Sequence, residues 1–137
     1  MHIVKYSPLP GLEKTGILAP IIEVTLINGV YEFTTLALVD SGAEQALIST
    51  VIAEVLNIDW KKIPRKIGLT TSGNFSFHPV QNIQAKIYEH EFRLNINVIE
   101  GINAFKCILG RKDIFKQSSI LFEGFNNQFR INFRELN

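Results

Sequence analysis

An all-β domain carrying one or two short helices is what this sequence predicts, and three observations carry the prediction. Apolar and polar residues alternate with period two in several runs, most cleanly in Ile83-Gln84-Ala85-Lys86-Ile87 and Phe92-Arg93-Leu94-Asn95-Ile96-Asn97-Val98, the pattern of strands with one buried face. Polar, glycine-bearing segments such as Asn28-Gly29 and Ser72-Gly73-Asn74 separate the runs at hairpin spacing. Helical spacing of apolar residues is brief, at Ile48, Ile52, Val55 and Leu56.

The elements follow in order. Residues 1–15 open with a strand-like start and reach Ser7-Pro8-Leu9-Pro10-Gly11, which reads as an arm or linker. Ile22, Val24 and Leu26 then alternate with more polar partners, Asn28-Gly29 turns the chain, and Tyr31 to Val39 returns as a strand. A short helix is expected over Ile48 to Leu56 with Ser49 as its cap, ending before Pro64. Ile67 to His78 forms a second hairpin around Ser72-Gly73-Asn74, and Ile83 to Val98 a third, turning at Glu89-His90-Glu91. Phe105 to Leu109 is a short apolar strand, and Arg111 to Gln117 a brief helix. Ile120 to Phe133 reads as two strands around Asn126-Asn127, with Phe129, Ile131 and Phe133 on one face.

Composition narrows the function classes. A chain of 137 residues, 46% hydrophobic and 20% charged, fits one domain with a sizeable core. The formal charge of +1 supplies no global field toward nucleic acid or anionic membrane, so neither is expected as a partner. Lys61, Lys62, Arg65 and Lys66 cluster around Pro64, where a solvated turn explains them better than a polyanion site. Cys107 is the single cysteine, which rules out an intramolecular disulfide and fits a reducing compartment. The start Met1-His2-Ile3-Val4-Lys5-Tyr6 lacks the apolar core of a secretory signal, and no apolar run approaches the ~18 residues of a membrane span. A cytoplasmic protein is the expectation.

The stretch that asks for an explanation is Leu36-Ala37-Leu38-Val39-Asp40-Ser41-Gly42-Ala43-Glu44, an apolar run that ends in an acid. An isolated ionised carboxylate among hydrophobes is costly, so Asp40 is either a surface turn residue or a tuned acid. A second apolar run, Cys107-Ile108-Leu109-Gly110-Arg111, also ends in glycine and suggests a site assembled from distant pieces. Other chemistries find little support. Cys107 sits in an apolar run where an inert buried thiol is expected, and His2, His78 and His90 show no metal-ligand spacing, so neither metal nor cofactor is expected. A phosphate-binding glycine loop and a Gly-x-Ser-x-Gly elbow are both missing.

The order of these pieces resembles the retropepsin-like aspartic proteases, single-domain relatives of pepsin that act as homodimers. Ala19 to Gly29 resembles their opening hairpin, Leu38-Val39-Asp40-Ser41-Gly42-Ala43 their catalytic signature, the residues around Gly73 their flap, Ile83 to Val98 the hairpin after the flap, and Ile108-Leu109-Gly110-Arg111 their closing motif. The resemblance covers residues 16–118 as a protease domain and leaves 119–137 as a C-terminal β-hairpin extension of it. It implies a closed, barrel-like acid-protease fold and a homodimer that pairs two copies of Asp40 to hydrolyse peptide or protein substrates in extended segments.

The resemblance also distributes roles. Ser41, Gly42 and Ala43 would support the catalytic loop, Glu44 and Arg111 would form a structural ion pair, and Ile108, Leu109 and Gly110 would pack beneath the loop and line the cleft. Thr71, Ser72, Gly73, Asn74 and Phe75 would form a flap closing over the peptide. The competing expectation is a catalytically inactive peptide-binding or assembly module on the same fold.

Overall fold

The chain folds, in a computed structural model that describes residues 1–70, 73–102 and 106–135, around a sheet that closes on itself. In chain order the strands are β1 (His2–Lys5), β2 (Ser7–Pro8), β3 (Leu18–Ala19), β4 (Ile21–Asn28), β5 (Tyr31–Val39), β6 (Ala46–Ser49), β7 (Lys66–Thr70), β8 (Gly73–Ile87), β9 (His90–Ile99), β10 (Cys107–Leu109), β11 (Ser118–Glu123) and β12 (Gln128–Phe133). Helix α1 (Thr50–Val55) follows β6, and α2 (Ile114–Gln117) follows β10. The main sheet runs β4-β5-β10-β6-β9-β8-β7, and an additional β4–β8 pairing makes a ring of all but β7. Closure satisfies backbone groups that an open edge would expose.

Alternation decides what the ring encloses. In β4 the side chains of Val24 and Leu26 are fully buried while Glu23 between its neighbours faces out. The β4–β5 hairpin pairs Asn28 with Tyr31, leaving Gly29 and Val30 as a two-residue turn, and Gly29 takes the positive φ of 63° that such a turn needs. Leu26, Ile52, Leu56, Ile87, Ile96, Leu109 and Ile114 fill the interior, so both helices present apolar residues to the ring. A second sheet, β1-β12-β11, covers part of the core: Val4 pairs with Phe129, and Phe129 and Ile131 are fully buried. No helix among the described residues is long and apolar enough to cross a membrane.

Several local expectations change. Ile48 does not open a helix. Ala46–Ser49 is a strand with β10 on one side (Ile48 opposite Cys107) and β9 on the other (Ile48 opposite Val98), and a ladder on both sides outweighs the helical spacing of its side chains. Ser49 precedes α1 as expected but makes no capping bond; its hydroxyl accepts the Lys106 amide at 3.3 Å. The second and third hairpins are not separate either. β8 is one strand of 15 residues serving both, with a register shift between Val80 and Ile83 where Asn82 takes φ 64°.

Candidate active site

Asp40 stands where β5 leaves the ring, and backbone hydrogen bonds fix its approach. Leu38 and Val39 run parallel to Ile108 and Leu109; the Val39 amide donates to Pro20 O at 2.9 Å and the Asp40 amide to Leu109 O at 3.0 Å. The chain then turns on itself. The Asp40 carbonyl accepts the Ala43 amide at 3.2 Å, and its carboxylate Oδ1 accepts the Gly42 amide at 2.8 Å. A Cβ on Gly42 would lie 3.1 Å from that same Oδ1, so the bare backbone keeps the turn tight.

The closing motif locks onto this loop through its backbone. Ala43 O accepts the Arg111 amide at 2.9 Å and Glu44 O the Lys112 amide at 2.8 Å. Gly110 is pressed so closely beneath that a Cβ there would sit 2.5 Å from Ala43 O. Asp113, only 2% exposed, ties the motif together: its Oδ1 accepts the Gly110 amide at 2.8 Å and the Ile114 amide at 2.7 Å, capping α2. Its Oδ2 is buried with no partner among the described residues. Burial pushes the Asp113 carboxyl up to about 6, against the pull of the Ile114, Gly110 and Ala46 amides. The Ala46 amide faces the carboxyl without reaching hydrogen-bond geometry.

A cleft of about 710 Å³ opens over Asp40. Gly42, Ala43, Glu44, Gln45 and Leu47 form one side; Lys66, Gly68, Leu69, Phe75 and Phe77 come from the β7–β8 hairpin; Pro79, Val80, Gln81, Asn95 and Asn97 form a further wall, with Lys112 at the rim. Phe75 faces Gly68 in register, its ring occupying the space a side chain at residue 68 would need, and the Phe75 and Phe77 rings lie 5.5 Å apart. Gln45 Nε2 donates to Asn97 Oδ1 at 3.3 Å across the wall. The cleft is therefore polar around Asp40 and aromatic under the hairpin.

Sequence-predicted residues divide in the structure. Asp40, Gly42, Ala43, Glu44 and Phe75 meet at the cleft, and Ser41 is exposed on the same turn. Gly73 and Asn74 begin β8 and are exposed, Gly73 with φ 129°; Thr71 and Ser72 lie outside the described residues. The Glu44–Arg111 ion pair is corrected: Glu44 Oε1 pairs with Lys112 Nζ at 2.8 Å, because the backbone bonds that join the two segments bring residue 112 opposite residue 44. Hydrogen bonding and charge from Lys112, and more weakly Arg111's charge, hold the Glu44 carboxyl below its ordinary value.

The cleft-lining role of Ile108, Leu109 and Gly110 is corrected as well. Leu109 is fully buried in the core, Gly110 packs on Ala43, and Ile108 lines a separate apolar hollow with Ile21, Leu36 and Leu38, since the neighbours Ile108 and Leu109 of β10 point to opposite faces. Cys107 is buried, and burial pushes its thiol up to about 12, the environment of an inert cysteine. Sequence reading missed Asp113, although an Asp directly before the apolar pair Ile114-Phe115 is a helix-cap signal. It also missed Gln45, Phe77 and Asn97, whose types carry no signal without the fold.

No protein-family model matches the chain, and no curated protein matches its sequence. Among solved structures, it is similar to the crystal structure of a retropepsin-like aspartic protease from Rickettsia conorii, with a TM-score of 0.69 at 18% identity, covering 96% of this chain and 90% of that one. At that identity the likeness speaks to architecture, and with the mostly-strand ring it establishes that this chain has a retropepsin-like fold.

Proposed function

We propose that this protein is an aspartic endopeptidase that acts as a homodimer on extended peptide segments. The observation that carries the reading is Asp40 itself: a carboxylate at the end of a ring strand, held by the Gly42 amide, in a cleft of about 710 Å³ bordered by a hairpin. The fold it shares with a retropepsin-like protease supports the same assignment.

The chemistry requires two carboxylates, and this chain brings one Asp40 to the cleft. A second copy related by a two-fold axis supplies the other. With one proton shared between the pair, the ionised Asp40 takes a proton from water as the oxygen attacks the peptide carbonyl carbon, while the protonated Asp40 gives its proton to the carbonyl oxygen. The tetrahedral intermediate then collapses: its hydroxyl proton returns to a carboxylate, the leaving nitrogen is protonated by the other, and the C–N bond breaks. Gly42 lets the substrate backbone come close, Ser41 supports the loop across the interface, and the β7–β8 hairpin covers the peptide and excludes water.

The test is digestion of a diverse peptide mixture followed by mass spectrometry over pH ~4 to 7, the range of a shared-proton pair. Wild type is expected to cut and Asp40→Asn to leave the mixture intact. A folded, dimeric wild type that binds peptides and cuts none would overturn the reading in favour of a peptide-binding module.

A further inference from the structure

His78 is a buried titratable residue that the catalytic reading does not use. It sits on β8 opposite Val98 of β9, 5% exposed, with the edge of the Trp60 indole 5.2 Å away between ring centres. Its Nδ1 lies 2.7 Å from Ile63 O and its Nε2 2.8 Å from Glu100 Oε2. A carbonyl oxygen and a carboxylate both accept, so the two contacts are both hydrogen bonds only when Nδ1 and Nε2 each carry hydrogen. Both ring nitrogens carry hydrogen only in the imidazolium. Neutral imidazole would set a lone pair against one of the two oxygens.

Those oxygens belong to segments that frame the cleft hairpin. Ile63 comes just before Pro64 and β7, while Glu100 follows β9 and its amide donates to Ser76 O of β8 at 3.2 Å. Lys61, Lys62 and Arg65 line the same hollow of about 460 Å³ and oppose the cation; Glu100 is the carboxylate lining it. The Lys61 Nζ lies over the Trp60 ring, 5.5 Å from its centre.

We propose that His78 is a proton-gated clasp at the root of the β7–β8 hairpin: protonated, it joins the start of β7 to the end of β9 through β8, and on losing its proton it lets one side go. The clasp rests on the reading of the cleft as a peptide site and adds its regulation. Closure of the hairpin is then strongest while the ring carries both protons. His78 is a positioning residue, outside the lining of the Asp40 cleft.

Hydrogen exchange of the β7 amides in the full-length protein, corrected for the intrinsic pH dependence, tests it without relying on catalysis. Wild type is expected to show a step to about tenfold faster exchange as His78 deprotonates, the scale of one charge-assisted hydrogen bond. His78→Gln, with one donor group and no titration, is expected to lack the step. Glu100→Gln, which keeps the ring and removes the carboxylate, is expected to move the step to lower pH and guards against a His78 variant that does not fold. Ring ¹⁵N shifts should show both nitrogens protonated below the step. A single neutral tautomer there, or the same exchange profile in wild type and Glu100→Gln, would overturn the clasp. If the protein cuts peptides, KM should rise across the same step with kcat little changed; if it cuts none, the exchange result still decides the clasp.

Discussion

Asp113 shows how one residue can set the pH dependence of the loop above it. Its carboxyl is raised from 3.8 to about 6, so between those values the folded chain keeps a proton that the unfolded chain has released. Its contribution to stability is therefore greatest below pH ~4 and falls as pH climbs through about 6, by a total on the order of 3 kcal/mol. Asp113→Asn keeps an oxygen for the Gly110 and Ile114 amides and removes the ionisation. Urea unfolding at pH ~4 and ~7.5 should show wild type losing stability relative to the variant at the higher pH; parallel curves would refute the raised carboxyl. Gly110 makes a steric counterpart. Gly110→Ala places a methyl against Ala43 O and should cost about 1–3 kcal/mol while displacing the Asp40 turn, read as a lowered denaturation midpoint.

Among the elements, the cleft hairpin is where packing and recognition meet. Gly68→Val should push the Phe75 ring out of the place it now takes, destabilising the β7–β8 pair by about 1–3 kcal/mol. Phe75→Leu in the same chain should recover part of that loss, and a double-mutant cycle on unfolding free energies would measure the coupling. Additive losses would mean that the two positions do not share the space. At this scale the sequence was legible where side-chain alternation and turn chemistry agree: Ile21–Asn28 and Tyr31–Val39 around Gly29, or Phe92 to Val98. It misled where tertiary pairing overrides local pattern. Ala46–Ser49 carries apolar residues that fit a helix start, yet β9 and β10 claim its backbone from both sides, partners more than 45 residues away. Residue types marked Asp40 and Gly110 as the ends of two apolar runs, and the resemblance set those runs together. The partner of Glu44 was not, because Lys112 and Arg111 are equally plausible cations until the backbone register chooses one.

Across the whole molecule, β12 belongs to the core and β1 pairs along it. β1 pairs with β12, and Phe129 and Ile131 are buried with side chains of the ring, so the last strands are bound to the domain rather than appended to it. Phe129→Ala should lower the stability of the entire chain by about 3–5 kcal/mol in a single cooperative transition, seen by circular dichroism and Trp60 fluorescence alike. Separate transitions for the two signals would show that the β1-β12-β11 sheet folds on its own.

The proposed chemistry needs two copies of Asp40 acting as one catalytic unit. The measurement that reaches it most directly is the activity of purified mixed dimers, one protomer wild type and the other Asp40→Asn, each carrying a different affinity tag. A shared pair predicts that the mixed dimer is nearly as inactive as the double variant, below about a thousandth of wild type, because the residues of a catalytic unit do not contribute additively. Half the wild-type rate in the mixed dimer would mean that each Asp40 works alone and would contradict the dyad.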